Sequence, residues 1–466
     1  MNVSQRREYD SLGEISVPEN SLYGASTARA LENFPISGQR VDLRIIHAYG
    51  SIKRAAAGAN LELGNLSKEN TRLIREAATE VSSGKLDGHF VVDVYQTGSG
   101  TSTNMNVNEV IANRCSEMAD EAPGSKRPVH PNDHVNCGQS SNDTFPTALH
   151  LAVALALRDE LLPSLELLEK ALATKAEEFH VVLKIGRTHL MDATPIRLGQ
   201  EFGGYRRQLE MARDRTRAAL DGLMELPLGG TAVGTGINTH PDFARKTIAA
   251  LAEESGLLLR EAADHFEAQA SKDALVEAHG QLTTTATAFF KIANDLRLMG
   301  SGPRCGLGEL SLPAIQPGSS IMPGKVNPVM CESLTMVAAR VFGNDTTVKW
   351  CGANGQLELN AFMPLLGNTV LESVTLLANG CRAFASKCVS GITANDSRCQ
   401  ELIELSLSMA TSLVPLIGYD RAAEIAKESH RTGITVRELC ERRREELGIS
   451  TRELEKALDP SSMAGD

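Results

Sequence analysis

The chain has 466 residues, of which 42% are hydrophobic but only 4% aromatic, and its formal net charge is −11. Its basic residues form no run, which makes nucleic acid an unlikely partner. No stretch of 18 apolar residues occurs, so no membrane span is predicted. The nine cysteines include no Cys-x-x-Cys pair, which disfavours a disulfide framework or zinc site and favours a reducing compartment.

The N-terminal zone, residues 1–140, mixes short helical patterns with polar loops and is predicted to be a domain of its own. Its first residues lack an apolar segment, so we expect no signal peptide and a cytoplasmic protein. Residues 91–95 form a short β-branched run that favours a small ribbon, as do residues 181–185 further along the chain.

Long helical patterns dominate residues 141–395, and a shorter charged domain is predicted over residues 396–466. Pro163 should interrupt the helix over residues 148–178. A seven-residue rhythm predicts the narrow apolar seam of an all-α bundle, closed by Gly300, and such bundles tend to form homo-oligomers. The rhythm comprises Leu275, Leu282, Ala286, Phe289, Ala293 and Leu296.

Two polar segments in the first half of the chain favour anion binding. Residues 96–104 combine hydroxyl side chains with glycine spacers, which is typical either of an anion-binding nest or of a flexible turn. Ser140, Ser141 and Asn142 precede an apolar helical run, so they predict helix capping, a carboxylate site, or both. His130 and His134 are four residues apart, but the proline between them disfavours a metal site on a helix.

Two further segments carry candidate chemistry. In residues 186–195, His189 follows Thr188 and is either a structural histidine or an acid–base group. The glycine-rich residues 229–236 favour close backbone packing or additional amide donors.

Residues 318–328, Gly-Ser-Ser-Ile-Met-Pro-Gly-Lys-Val-Asn-Pro, are the most informative segment. Two prolines and two glycines exclude a regular helix and disfavour a strand, so the segment is predicted to be a loop. It offers the hydroxyl of Ser319, the cation of Lys325 and the amide of Asn327, which favours a functional loop over a polar turn. With the other segments, these groups fit recognition of a small dianion and proton abstraction from it, without a metal or other cofactor.

The loop resembles the signature of the fumarase/aspartase superfamily, and the likeness covers nearly the whole chain. Gln-Thr-Gly-Ser-Gly-Thr at 96–101, His-Pro-Asn-Asp at 130–133, Gln-Ser-Ser-Asn-Asp at 139–143 and residues 229–236 resemble class II fumarases. The resemblance implies an all-α fold of three domains, a homotetramer whose bundles form one helical core, and active sites shared by three subunits. It also implies reversible elimination of water from L-malate, with no cofactor.

The resemblance further implies roles for individual residues. Ser319 would be the base, Lys325 would help to stabilise charge, and His189 would be the acid, oriented by Glu332. The implied substrate-binding residues are Ser99, Thr101, Ser140, Ser141, Asn142, Thr188, Lys325 and Asn327. A second anion site would comprise Arg127, His130, Asn132 and Asp133.

Two alternatives stay open from the sequence alone. An aspartate ammonia-lyase would share the fumarate product, and residues 435–440 resemble that branch, while Val329-Met330 departs from many fumarases. A catalytically silent helical scaffold is the other alternative, which the presence of Ser319, Lys325 and His189 disfavours.

Overall fold

A computed structural model describes residues 4–465. Residues 1–3, which contributed to the expectation of no signal peptide, and residue 466 lie outside the described residues. The described chain is dominated by α-helices, which confirms the predicted all-α class. The α-helices are α1 Ala25–Asn33, α2 Leu43–Glu62, α3 Lys68–Ser82, α4 Thr101–Met118, α5 Ser141–Ala156, α6 Leu162–Glu178, α7 Leu198–Gly222, α8 Phe243–Ser255, α9 His265–Ala270, α10 Asp273–Met299, α11 Val329–Ala353, α12 Met363–Lys387, α13 Asp396–Leu405, α14 Val414–Ile417, α15 Tyr419–Thr432, α16 Val436–Arg442, α17 Arg444–Leu447 and α18 Thr451–Ala457.

The strands are short and pair only two by two. They form the antiparallel pairs β1–β2, β3–β4, β7–β10 and β8–β9 and the parallel pair β5–β6. Their bounds are β1 Gln5–Asp10, β2 Gly13–Pro18, β3 Leu183–Thr188, β4 Met191–Arg197, β5 Glu225–Leu226, β6 Arg260–Glu261, β7 Leu310–Ser311, β8 Gly355–Gln356, β9 Leu359–Asn360 and β10 Thr393–Ala394.

Of the two predicted ribbons, one is confirmed and one is wrong. The run at residues 181–185 enters strand β3, whereas residues 91–95 make only an isolated bridge between Asp93 and Arg40. Within this run, the Tyr95 amide donates to the Asp93 carboxylate, which also accepts from the Ser37 amide outside the run. Local side-chain bonds of this kind compete with a strand ladder.

The long helical patterns are confirmed. All six residues of the seven-residue rhythm are buried on α10, which ends at Met299, one residue before Gly300. The pattern expected to break at Pro163 forms α5, a π-helical turn at Leu157–Leu161 and then α6, with Pro163 in its first turn. Proline is tolerated there because it directly follows the π-helical turn, where the regular α-helical bonding of the continuous helix is already interrupted.

The described chain comprises two compact units, each built from three segments. The first unit contains residues 4–163, Asp214–Thr284 and Ala339–Ala378, and in it α2 packs on α3, α5 and α8. The second contains Ser164–Arg213, Thr285–Ala338 and residues 379–465. In the second unit, an apolar core around Ile403, Leu413 and Ile425 gathers the C-terminal helices. The predicted division at residues 140 and 395 concerns consecutive segments and stays a prediction.

Candidate active site

The N-terminus of α4 is fixed by two glycines of the segment at 96–104. A Cβ atom at Gly98 would lie 1.6 Å from the carbonyl oxygen of Ala361, and one at Gly100 would lie 2.0 Å from the Phe145 ring. Gly100 also has a φ of 74°, which glycine adopts without strain. The segment is therefore a packed turn that presents Thr101 as the first residue of α4, not a flexible loop.

Hydroxyl groups join the N-termini of α4 and α5. The Oγ1 atom of Thr101 lies 2.8 Å from the Ser99 Oγ atom and 2.7 Å from the Ser141 Oγ atom. Both helices are long and carry partial positive charge at this end, so the pair of N-termini favours a carboxylate. The sequence-predicted residues Ser99, Thr101 and Ser141 are thus brought together in the first unit.

Ser140 caps α5, as the sequence predicted. Its hydroxyl accepts a hydrogen bond from the Asn142 amide, and its own amide donates to Asp143 in a capping box. The fully buried Asp143 also accepts from the amides of Gly229 and Thr231. The glycine-rich segment therefore supplies amide donors, as expected, and fixes the turn before α5.

Lys53 organises these polar segments from below and was missed by the sequence analysis. Its fully buried ammonium donates to the side-chain oxygens of Asn104, Asn136 and Gln139 at 2.9–3.0 Å. Burial lowers its pKa to about 7, opposed by the nearby Asp143 carboxylate. The local sequence, Ser-Ile-Lys-Arg-Ala-Ala-Ala, gave little signal, because Lys53 is followed by a second basic residue and the pair is typical of an exposed helix face.

The predicted second anion site lies at a short turn in the first unit. The Nδ1 atom of His130 accepts hydrogen bonds from the amides of Asn132 and Asp133, both at 3.2 Å. Partial burial lowers the pKa of His130, which favours the neutral ring that this acceptor role requires. Arg127 is exposed. The amides that would meet an anion here are already bonded to the histidine.

A cavity of about 380 Å³ beside this turn carries mostly negative charge. Glu8, Asp10 and Glu109 line it, and Lys126 is also present. Such a lining opposes a dianion. The second anion site therefore stays a prediction that the local charge does not favour.

Thr188 and His189 lie at the tip of the β3–β4 hairpin in the second unit. Thr188 pairs with Met191, and the two residues between them, His189 and Leu190, have φ angles of 57° and 63°. Two positive φ angles in a two-residue loop are typical of a type I′ turn. Both Thr188 and His189 are exposed, so the hairpin presents the imidazole to its surroundings.

The signature loop of the second unit is closed at its base. The side-chain amide of Asn327 donates to the Gly318 carbonyl oxygen at 2.6 Å. A Cβ atom at Gly318 would lie 2.2 Å from the carbonyl oxygen of Lys325, so glycine is required there. One of the two side-chain amide hydrogens of Asn327 therefore stabilises the loop.

Within the loop, the Ser319 hydroxyl is the acceptor for two backbone amides. The Ile321 and Met322 amides lie 3.2 Å and 2.9 Å from the Ser319 Oγ atom. Donors of this kind stabilise an alkoxide on that oxygen relative to the alcohol. The Lys325 ammonium is exposed and, within residues 4–465, has no hydrogen bond or ion pair.

The expected pairing of His189 with Glu332 is not formed within one chain. Across residues 4–465, no ion pair or hydrogen bond joins the imidazole to that carboxylate. Glu332 lies in the first turn of α11, with its side chain exposed. In the same part of the chain, no group of three or more His, Cys, Asp or Glu residues is arranged to hold a metal ion.

The fold and these segments define a lyase of the superfamily that the sequence resembles. A family model described as Lyase matches residues 13–343, and one described as Fumarase C C-terminus matches residues 409–465. The chain belongs to the class II fumarate hydratases of that family. The second match includes residues 435–440, so their resemblance to aspartases does not separate the chain from the fumarases.

Individual relatives cover almost the full chain. The fumarate hydratase class II of Methylorubrum extorquens is 51% identical over 463 residues, covering 99% of this chain and 97% of the relative. The mitochondrial fumarate hydratase of Rattus norvegicus is 52% identical over 465 residues, covering 99% and 91%. The crystal structure of a class II fumarase from Schistosoma mansoni has a TM-score of 0.95 at 41% identity and covers 99% of both chains.

A crystal structure titled fumarate lyase:delta crystallin from Brucella melitensis, bound to cobalt, is similar to the same degree. Its TM-score is 0.95 at 44% identity, and the match covers 99% of this chain and all of the other. Among the helices of residues 4–465, none has the length and apolarity needed to cross a membrane.

Proposed function

We propose that this chain is a fumarate hydratase, which catalyses the reversible elimination of water from L-malate to give fumarate. The observation that carries the proposal is the similarity to enzymes named fumarate hydratase in both a bacterium and a mammal. About half of the residues are identical, over almost the full length of the chain. Two site features support it: the joined N-termini of α4 and α5, and a loop serine that accepts two backbone amides.

Substrate binding is assigned to residues of the first unit and to Thr188 of the second. One carboxylate of malate would lie at the N-termini of α4 and α5, where amides and the hydroxyls of Thr101 and Ser141 can donate to it. Thr188 and Asn142 would bind the rest of the substrate. The Asn142 amide already donates to the Ala232 carbonyl at 2.8 Å, which leaves its side-chain oxygen as an acceptor for the malate hydroxyl.

Proton abstraction is assigned to the signature loop. The Ser319 alkoxide removes a proton from the carbon next to a carboxylate, and the electron pair moves into that carboxylate to form an aci-carboxylate. The amides of Ile321 and Met322 stabilise the alkoxide before the step, and the Lys325 ammonium stabilises the dianion after it. A donor aimed at developing charge typically contributes about 3 kcal/mol.

Loss of the hydroxyl group completes the elimination. The electron pair returns from the aci-carboxylate to form the double bond, and His189 gives a proton to the departing hydroxyl, which leaves as water. General-acid assistance of this kind contributes about 10²–10⁴-fold. Hydration of fumarate follows the same steps in reverse, so the reaction needs no redox cofactor.

The proposed assembly is a homotetramer with active sites shared by three subunits. Two features support it: the substrate-binding hydroxyls and the base belong to different units of the chain, and His189 has no carboxylate partner within residues 4–465. A second copy would then supply the Glu332 carboxylate that orients His189. The predicted cytoplasmic location stays a prediction.

One comparison of substrates tests the proposed function. Fumarate formation is followed by its ultraviolet absorbance with purified protein and either L-malate or L-aspartate. We expect turnover with malate and none above background with aspartate. The reverse preference would assign the chain to the ammonia-lyases, and activity with neither would support a silent scaffold.

A further inference from the structure

The strand that leads to His189 carries a largely buried ionic cluster that the proposed mechanism does not use. Glu309, none of whose side chain is exposed, lies 2.8 Å from the Arg187 guanidinium and 3.4 Å from the Lys184 ammonium. Lys184 also lies 2.9 Å from Glu201, in the first turn of α7. Two cations on β3 are therefore held by carboxylates from two other elements of the same unit.

A β-bulge brings both cations to the same carboxylate. Side chains alternate along a regular strand, so Lys184 and Arg187 would face opposite sides. The register of β3 against β4 shifts between Ile185 and Arg187, and this extra residue resets the alternation. Gly186 sits at the shift, where a Cβ atom would lie 2.7 Å from the Thr194 carbonyl oxygen. Bulges often re-aim side chains next to active sites.

The opposite face of the strand is anchored separately. Ile185 packs in the apolar core with Ile403 and Leu413. The hairpin is thus held by apolar contacts on one face and by the ionic cluster on the other. We call these two sets of contacts the clamp, and the exposed turn at His189 directly follows the residues that form it.

Glu309 is itself a rigid point of attachment. Its amide donates to the Met299 carbonyl oxygen at 2.9 Å, and its own carbonyl accepts from the Asn395 amide at 2.8 Å. The next residue begins β7, which pairs with β10. The carboxylate is therefore held from both sides by backbone, and it transfers that rigidity to Arg187 and Lys184.

The turn needs such support because its own residues do not favour it. His189 and Leu190 both adopt left-handed φ angles, which cost a branched residue such as leucine about 1 kcal/mol or more. In residues 4–465 the His189 ring makes no hydrogen bond or ion pair, so within the chain its direction depends on the turn backbone. A strained turn persists only where the surrounding structure holds it.

We infer that Glu309 is a positioning residue for His189, which acts through Lys184 and Arg187 to hold the β3 strand and the turn at its end. The inference rests on the proposed function, in which His189 is the acid. A misplacement of a catalytic group by about 1 Å can cost about 100-fold in rate.

The test replaces Glu309 with glutamine in the full-length protein. E309Q keeps the shape of the side chain but removes its charge, so kcat for malate should fall about 10- to 100-fold while KM changes by less than about threefold. Amide hydrogen exchange in residues 186–192 should become faster, whereas exchange in α5 should not. A kcat within about twofold of the unmodified protein, or unchanged exchange at the turn, would overturn the inference.

A matched control separates positioning from loss of any ion pair. E169Q removes a carboxylate that lies 2.9 Å from Arg213 in the same unit and that, within residues 4–465, forms no hydrogen bond or ion pair with the hairpin. It should leave kcat and turn exchange unchanged. If E309Q fails to fold, R187Q removes the same Arg187–Glu309 ion pair at its partly exposed partner, and kcat and turn exchange are measured in the same way.

A double variant distinguishes failure of this inference from failure of the proposed function. If Glu309 acts through His189, E309Q should lower the residual rate of H189N by less than about twofold. An equal loss in both backgrounds would make Glu309 independent of His189. Lack of malate turnover by the unmodified protein would instead reject the function, while faster exchange at the turn in E309Q would still identify the clamp.

Discussion

Single buried charges fix the polar segments of the first unit. Lys53 donates to three neutral amide oxygens. The carboxylate of Asp143 interacts with it electrostatically, but that carboxylate accepts its own hydrogen bonds from backbone amides. The cost of burying this ammonium is tolerable only because all three of its hydrogens are bonded. Lys53 therefore ties α2 to the first turn of α4 and to the segment that precedes α5.

Replacing Lys53 with methionine tests this role. The variant keeps an apolar stem but leaves the side-chain oxygens of Asn104 and Gln139 without this donor, and each such loss costs about 1–3 kcal/mol. The Asn136 oxygen still accepts from the Asn104 and Asn108 amides. We expect a lower denaturation midpoint and a raised KM for malate, because the N-terminus of α5 loses its support. Lys246→Met removes a partly exposed ammonium paired with Glu62 and should alter neither quantity appreciably. Equal effects of the two substitutions would contradict the role.

The proposed base is open to an equally direct test. Ser319→Ala removes the hydroxyl that accepts the amides of Ile321 and Met322, so turnover should fall by about 10²–10⁴-fold. Malate binding, measured by calorimetry, should be retained. The neighbouring Ser320→Ala is the control and should keep most of the activity. Normal turnover by Ser319→Ala would remove this serine from the mechanism.

At the scale of elements, the two glycines before α4 set the position of the hydroxyls that are proposed to bind the substrate. The Gly98 carbonyl accepts from the Met363 amide at 3.0 Å, and its Cα has no room for a side chain beside Ala361. The turn is therefore docked against the start of α12. Close approach of backbone to backbone, which only glycine permits, explains this part of the polar segment better than flexibility does.

Two glycine-to-alanine substitutions should change the stability of the protein in opposite directions. Gly98→Ala introduces a clash with the Ala361 backbone, so it should lower the free energy of unfolding by about 1–3 kcal/mol or more. It should also raise KM for malate. Gly58→Ala lies inside α2, where a Cβ atom meets nothing within 4 Å, and should raise stability by about 0.5–1 kcal/mol. Tolerance of alanine at position 98 would show that the turn can move.

Features that depend on local sequence signals could be predicted, whereas contacts between distant residues could not. The rhythm on α10, the cap at Ser140 and the loop at 318–328 were predicted because periodicity, capping and proline content are local signals. The contacts of Lys53 and Glu309 depend on residues about 50 to 125 positions away, which no local pattern reports. The ribbon at residues 91–95 was wrong: pairing there stops at one bridge to Arg40, and the Tyr95 amide bonds to the Asp93 side chain instead of to a neighbouring strand.

At the scale of the whole molecule, the polar chemistry is divided between the two units. The first carries the hydroxyls joined at Thr101 and Ser141, and the second carries Ser319, Lys325 and His189. If the proposed roles hold, unfolding of the first unit removes substrate binding even though the proposed base, Ser319, lies in the second unit. Stability under acid conditions is then a condition for activity.

His150 gives this stability a predictable pH dependence. It is almost fully buried on α5, where its Nδ1–H group donates to the Glu225 carbonyl at 2.8 Å. Burial, together with the nearby Lys272 charge, lowers its pKa from 6.5 to about 4. Between pH 6.5 and about 4 the unfolded chain binds a proton that the folded chain does not, so acid lowers the free energy of unfolding.

His150→Asn should weaken that dependence, because asparagine keeps a donor near the Nδ1 position but does not titrate. The shift of about 2.5 pKa units corresponds to roughly 3 kcal/mol over the full window, of which about 2 kcal/mol is lost by pH 5. Urea denaturation at pH 7 and pH 5 should therefore show a smaller fall for the variant than for the unmodified protein. His180→Asn, at an exposed histidine, should retain the original fall. If His150→Asn loses as much stability as the unmodified protein, protonation of other groups accounts for the acid sensitivity.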